Sequence, residues 1–119
     1  MKPVRVILKG EAADEYGKLS KITREEQGRG IKNSHHQQLL NSIIRVSDQL
    51  KQDPQYGTPI SKAFIRKARI PVDNLWKVNL TGYWRMLYTI SGSNVEIICY
   101  VLEISDHKKY DRIFGYKKK

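Results

Sequence analysis

A chain of 119 residues has room for one domain, 1–119, and one core, and with 39% hydrophobic residues and two Trp it is not a disordered chain. Its formal net charge of +10 and pI near 9.8 are the footprint of a surface that meets phosphates or an acidic protein. The single cysteine, Cys99, excludes an intramolecular disulfide and a cysteine zinc site, and the longest apolar run, Ile97–Leu102, is too short to span a membrane.

Val4-Arg5-Val6-Ile7-Leu8 reads as a short β-branched strand ended by Lys9-Gly10. Gly10, Glu11 and Asp14 interrupt any signal-peptide core, so a reducing cytoplasm is the expected setting. From Glu11 to about Gln27, Ala12, Tyr16, Leu19 and Ile22 recur at helical spacing, and Gly28-Arg29-Gly30 breaks that helix. Ser34 and Gln37 have the spacing of a capping box at the start of a second helix. Its apolar stripe is Leu39, Ile43, Val46 and Leu50, widened by Leu40 and Ile44, and Asp53-Pro54 ends it. Two amphipathic helices on a short glycine link predict a helical hairpin laid on a sheet.

Residues 55–73 read as a long connection, with Gly57, Pro59 and Pro71, in which Lys62, Arg66, Lys67 and Arg69 gather positive charge without an acid between them. Beyond it, Trp76, Val78 and Leu80 alternate with Lys77 and Asn79. Thr81-Gly82 turns the chain into a strand over 83–90, Ser91–Asn94 turns it again, and 95–104 is apolar on both faces, as in a central strand. The expected fold class is α+β: an N-terminal strand, a helical hairpin and a C-terminal antiparallel β-meander. A polar tail, 106–119, ends in three lysines and is expected to fray at its tip.

The chain has no phosphate-cradling glycine loop, no zinc-binding histidine pair with its glutamate and no serine elbow, so no cofactor and no metal is expected. His35 and His36 read as solvent-facing residues of a helix start, and Cys99 as a small buried hydrophobe. His107 follows the central strand directly, and a strand end holds a side chain rigidly at a rim; histidine titrates at about 6.5, suited to proton transfer. A histidine beside an aspartate also suits a plain local hydrogen bond. Arg85 stands within a strand, where its fork either grips a phosphate or makes an internal salt bridge. Lys77, on the preceding strand, is a second cation for the same face. Trp76, Tyr83, Trp84, Tyr88 and Tyr100 interleave with these cations, as stacking platforms do and as core residues also do.

A strand, a helical hairpin, a basic connection and a meander reading LWKVNLTGYWRMLYTI and VEIICYVLEISDHKKYDRIFGY resemble the RelE/ParE toxin superfamily over nearly the whole chain, most sharply over 75–116. RelE-like members are ribosome-dependent mRNA endonucleases held inactive by a cognate antitoxin; ParE-like members poison DNA gyrase and lack the nuclease residues. The resemblance implies catalytic roles for Arg85 at the scissile phosphate, for Lys77 beside it, for His107 as general acid or base, and for Tyr110 in stacking on or orienting a base. It leaves Lys62, Arg66, Lys67, Arg69, Lys108 and Arg112 as substrate contacts, with mRNA, the ribosome and an antitoxin as partners and no membrane or metal. Asn79 stands where some nucleases carry a second lysine, and no glutamate matches the general base of others. The alternative is a non-catalytic member that poisons gyrase or only binds RNA or protein.

Overall fold

The structure, a computed structural model, describes residues 2–115, so the terminal lysines 117–119 lie outside the described residues. The chain runs β1 (Val4–Leu8), α1 (Gly10–Gly28), α2 (His35–Gln52), β2 (Thr58–Pro59), α3 (Lys62–Ala68), β3 (Trp76–Asn79), a 3₁₀ turn (Thr81–Tyr83), β4 (Trp84–Gly92), β5 (Ile97–Asp106) and α4 (His107–Phe114). The α+β class, the helical hairpin and the meander are as the sequence predicts. The strands form one sheet in the order β1-β5-β4-β3-β2. All neighbours are antiparallel except β1, which pairs in parallel with β5 from Val4 opposite Ile97 to Leu8 opposite Val101. β5 thus has a neighbour on each side, and its Cys99 and Val101 are fully buried.

Each sheet face carries its own core. On one, Leu39, Ile43, Val46 and Leu50 of α2 and Ala12 and Leu19 of α1 pack on Val78, Met86, Tyr88, Cys99, Val101 and Ile104. On the other, Ile65 of α3 and Tyr110 and Phe114 of α4 close over Leu75 and Leu87. The helical stripes are those the spacing predicts, with two exceptions. Ile44, expected to widen the α2 stripe, is exposed. In α1, Ile22 is exposed, and the last turns bury Thr23 and Glu26 instead. The reason in α1 is polar: Glu26 accepts from Ser34 and Gln37 and lies 3.0 Å from His36 Nδ1, so the loop end of the hairpin is closed by hydrogen bonds. The capping box is half made. Ser34 Oγ accepts from Gln37 N, but Gln37 Oε1 accepts from Asn33 N, one residue short of the cap.

Two segments read as irregular are helical. The connection over 55–73 contains β2 and α3, and the described part of the tail after Ser105 contains α4. Both short helices have a side-chain N-cap, Ser61 accepting from Phe64 N and Asp106 accepting from Lys109 N, and each ends on a left-handed residue, Arg69 or Gly115. Gly57 lets β2 close against the sheet, because a Cβ there would fall 2.7 Å from the Lys77 carbonyl oxygen.

Candidate active site

The second face of the sheet gathers the cations. In the β3–β4 ladder Lys77 pairs with Leu87 and Asn79 with Arg85, so Lys77 and Arg85 are diagonal neighbours whose side chains share that face. Tyr110, on the first turn of α4, lies against both: its ring centroid is 5.8 Å from Lys77 Nζ and 5.2 Å from Arg85 Cζ. Arg85 forms no internal salt bridge among the described residues. Glu103, which faces Leu87 on the neighbouring strand, is engaged with Lys109 at 2.8 Å, and Glu96 stands at the far end of the β4–β5 ladder, paired with Arg5 at 3.2 Å. Its fork instead donates from Nη1 to the Tyr83 carbonyl, 3.2 Å away. Tyr83 offers that carbonyl from a left-handed backbone, φ 63°, which a non-glycine residue rarely adopts.

His107 is the first residue of α4, and the side chain of Asp106 is spent on the Lys109 amide as the cap, not on the histidine. Its exposed ring meets the Tyr83 ring edge-on with centroids 5.9 Å apart. Lys77, Arg85 and Tyr110 are therefore brought into direct contact, with His107 one ring away at the rim. A cavity of about 400 Å³ opens between Arg85 and the turn, lined by Asn79, Leu80, Gly82, Tyr83, Trp84 and Arg85. Tyr110 is 7% exposed, its ring 4.8 Å from that of Phe114, so stacking on a base requires the ring to leave the cations it covers.

What holds α4 down includes ion pairs that the sequence did not single out. Lys109 Nζ lies 2.8 Å from Glu103 and 3.1 Å from Glu11, tying α4 to β5 and to the start of α1. Burial pushes the Glu103 carboxyl above the usual carboxylate range. The hydrogen bond from Lys109 holds that of Glu11 below it, and the bond to Glu103 raises the Lys109 ammonium. The signal was present, since an i, i+2 reading of the strand sets Glu103 on the face of Ser105.

The remaining cations do not converge on Arg85. Lys62, Arg66 and Lys67 are exposed on α3, and Arg69 caps its end. Lys108 and Arg112 are exposed at i, i+4 on α4. The two helices adjoin through the Phe64 and Phe114 rings, 6.3 Å apart and nearly perpendicular. Among the described residues none of these six cations has a carboxylate within ion-pair distance, so they form a basic rim beside the Lys77–Arg85 pair. The aromatic platform contracts. Trp76 and Tyr88 stack in the core of the opposite face and Trp84 packs against it; Tyr100 receives Lys9 at 4.2 Å, and Tyr83 alone stands exposed at the site. Burial pushes the Cys99 thiol up to about 11, which suits a packed side chain rather than a nucleophile.

No family model and no curated protein matches the sequence. Among solved structures, a YoeB/ParE toxin from Agrobacterium tumefaciens superposes with a TM-score of 0.56 over 87% of this chain and 98% of that one, at 16% sequence identity. The chain has the RelE/ParE toxin fold. In this instance of the toxin fold, the sheet face under α4 carries the cation pair, and the hairpin α1–α2 closes the other face.

Proposed function

We propose that the protein is a RelE-like toxin that cleaves mRNA on the ribosome and is neutralised by a cognate antitoxin. The observation that supports this reading is the meeting of Lys77, Arg85 and Tyr110 on one sheet face, with His107 at its rim and no carboxylate of the described residues on Arg85. Two cations there offset the charge that gathers on phosphorus when a ribose 2′-hydroxyl attacks the adjacent phosphodiester. The bond from the 2′-oxygen to phosphorus forms as the bond to the 5′-oxygen breaks. His107, exposed at the first position of α4, serves as general acid or base for the proton that changes hands. The rim of Lys62, Arg66, Lys67, Arg69, Lys108 and Arg112 supplies sequence-independent contacts to RNA backbone, and the same excess of positive charge suits an acidic antitoxin segment. Chemistry and rim are carried by one domain.

The test is translation in vitro with mRNA ends mapped, wild type against Arg85→Ala. Fragments that need ribosomes, and that vanish in the variant, are the expected result. Cleavage of naked RNA would make the protein a free ribonuclease, and growth arrest without cleavage would point to gyrase or another protein target.

A further inference from the structure

The cross-strand partner of Arg85 in the β4–β5 ladder is Ser105. Ser105 is 2% exposed, its Oγ has no hydrogen-bond partner, and the covered Nε of Arg85 has none either. Opposed residues of an antiparallel pair share a face with Cβ atoms about 4.5–5.5 Å apart. A donor and an acceptor therefore stand side by side without meeting. The guanidinium is turned away by its Nη1 bond to the Tyr83 carbonyl. Buried polar groups are rarely left unanswered, and a serine that only filled space here would be better replaced by alanine.

We propose that Ser105 is the positioning residue of this site, and that Arg85 has two stations. Without ligand its fork rests on the Tyr83 carbonyl. When an oxyanion of the phosphodiester class arrives, Arg85 leaves that carbonyl and donates from Nε to Ser105 Oγ. Both terminal nitrogens then face the anion side by side. The movement is a change of side-chain rotamer; no covalent bond is made or broken. The inference rests on Arg85 being the anion-binding arginine of the proposed function.

The experiment uses the full chain, inorganic phosphate as the probe, and the Nε–H resonance of Arg85 as the reporter. In the wild type, phosphate moves that resonance. Ser105→Ala is expected to melt no lower than wild type, to bind phosphate about tenfold more weakly and to lose the movement of the Nε–H signal. Ser105→Thr, which keeps a hydroxyl, restores both. On an Arg85→Ala background, Ser105→Ala adds nothing. Unchanged affinity and an unchanged signal in Ser105→Ala would overturn the proposal while a loss of binding in Arg85→Ala upheld the anion-binding arginine. Phosphate binding indifferent to Arg85→Ala would sink both. A Ser105→Ala protein that melts well below wild type or fails to fold would also overturn it, because the hydroxyl would then serve the fold.

Discussion

Replacing Arg85 with lysine keeps the charge and removes the fork, which separates what the sheet needs from what the proposed chemistry needs. Two contacts of Arg85 bear on stability. Its bond to the Tyr83 carbonyl lies at the exposed end of the strand and is worth about 0.5–1.5 kcal/mol. Its place over the Tyr110 ring, at 5.2 Å, is worth about 0.5–1 kcal/mol, and an ammonium retains part of that. The expected loss is thus about 1 kcal/mol, which in a chain of this size lowers the melting temperature by about 3–6 °C. The effect on cleavage is larger. An ammonium meets the developing oxyanion as a single point, and losing one preorganised donor of that kind costs about 10²–10³ in rate. The assay is single-turnover cleavage on programmed ribosomes, alongside thermal melts of the same preparations. An Arg85→Lys rate within about threefold of wild type, at saturating ribosome, would refute the assignment of the fork to the transition state. So would a fall in activity that merely tracks a melting temperature lowered by more than about 10 °C, since the arginine would then be a structural strut.

Tyr88, Glu26 and the α3–α4 rim can each be tested in the same way. Tyr88 donates to the Pro54 carbonyl at 2.7 Å and accepts from Gly57 N at 3.0 Å, and burial raises its phenol to about 12. Tyr88→Phe strands both backbone groups and is expected to cost about 1–3 kcal/mol, read as a lower urea midpoint with an unchanged slope. The Glu26 carboxyl is held below its ordinary 4.5 by Ser34 first and then by His36, so the unfolded chain takes up its proton first as pH falls. The stability it contributes is present above about pH 4.5 and lost as pH falls through the lower folded value; urea midpoints from pH 7 to pH 3 should show this loss, and Glu26→Gln should abolish it. Finally, neutralising Lys62, Arg66, Lys108 and Arg112 together is expected to flatten the salt dependence of single-stranded RNA binding by about 0.7 in log–log slope per lost phosphate contact. An unchanged slope would remove the α3–α4 rim from the RNA interface.

The sequence made the long elements legible because each buries one face over several turns or alternations, and periodicity is what such burial writes into a chain. It concealed α3 and α4 because short helices write little. α3 buries Ile65 alone, and α4 buries Tyr110 and Phe114 in an octet whose other residues are polar except Ile113. Their caps, Ser61 and Asp106, were the readable signs, masked by a run of cations that looks like a solvated connection. The site was legible in the same uneven way. Lys77 and Arg85 stand out because a cation within a strand interior is costly without a purpose. Ser105 does not, because which residue opposes Arg85 depends on register, and register here depends on one irregularity. Gly92 pairs with Ile97 near the hairpin end, and a regular ladder counted back seven residues from there would set Arg85 against Ile104. The observed partner is Ser105, because the ladder shifts between Leu87 and Tyr88 and leaves Leu102 without a partner. Ile104 belongs to the core under α1 and α2, so a regular ladder would set an isoleucine of the helix-covered face opposite the arginine. The one extra residue at Leu102 therefore gives Arg85 a hydroxyl for a neighbour and delivers the end of β5, with His107 beyond it, to the face where the cations meet.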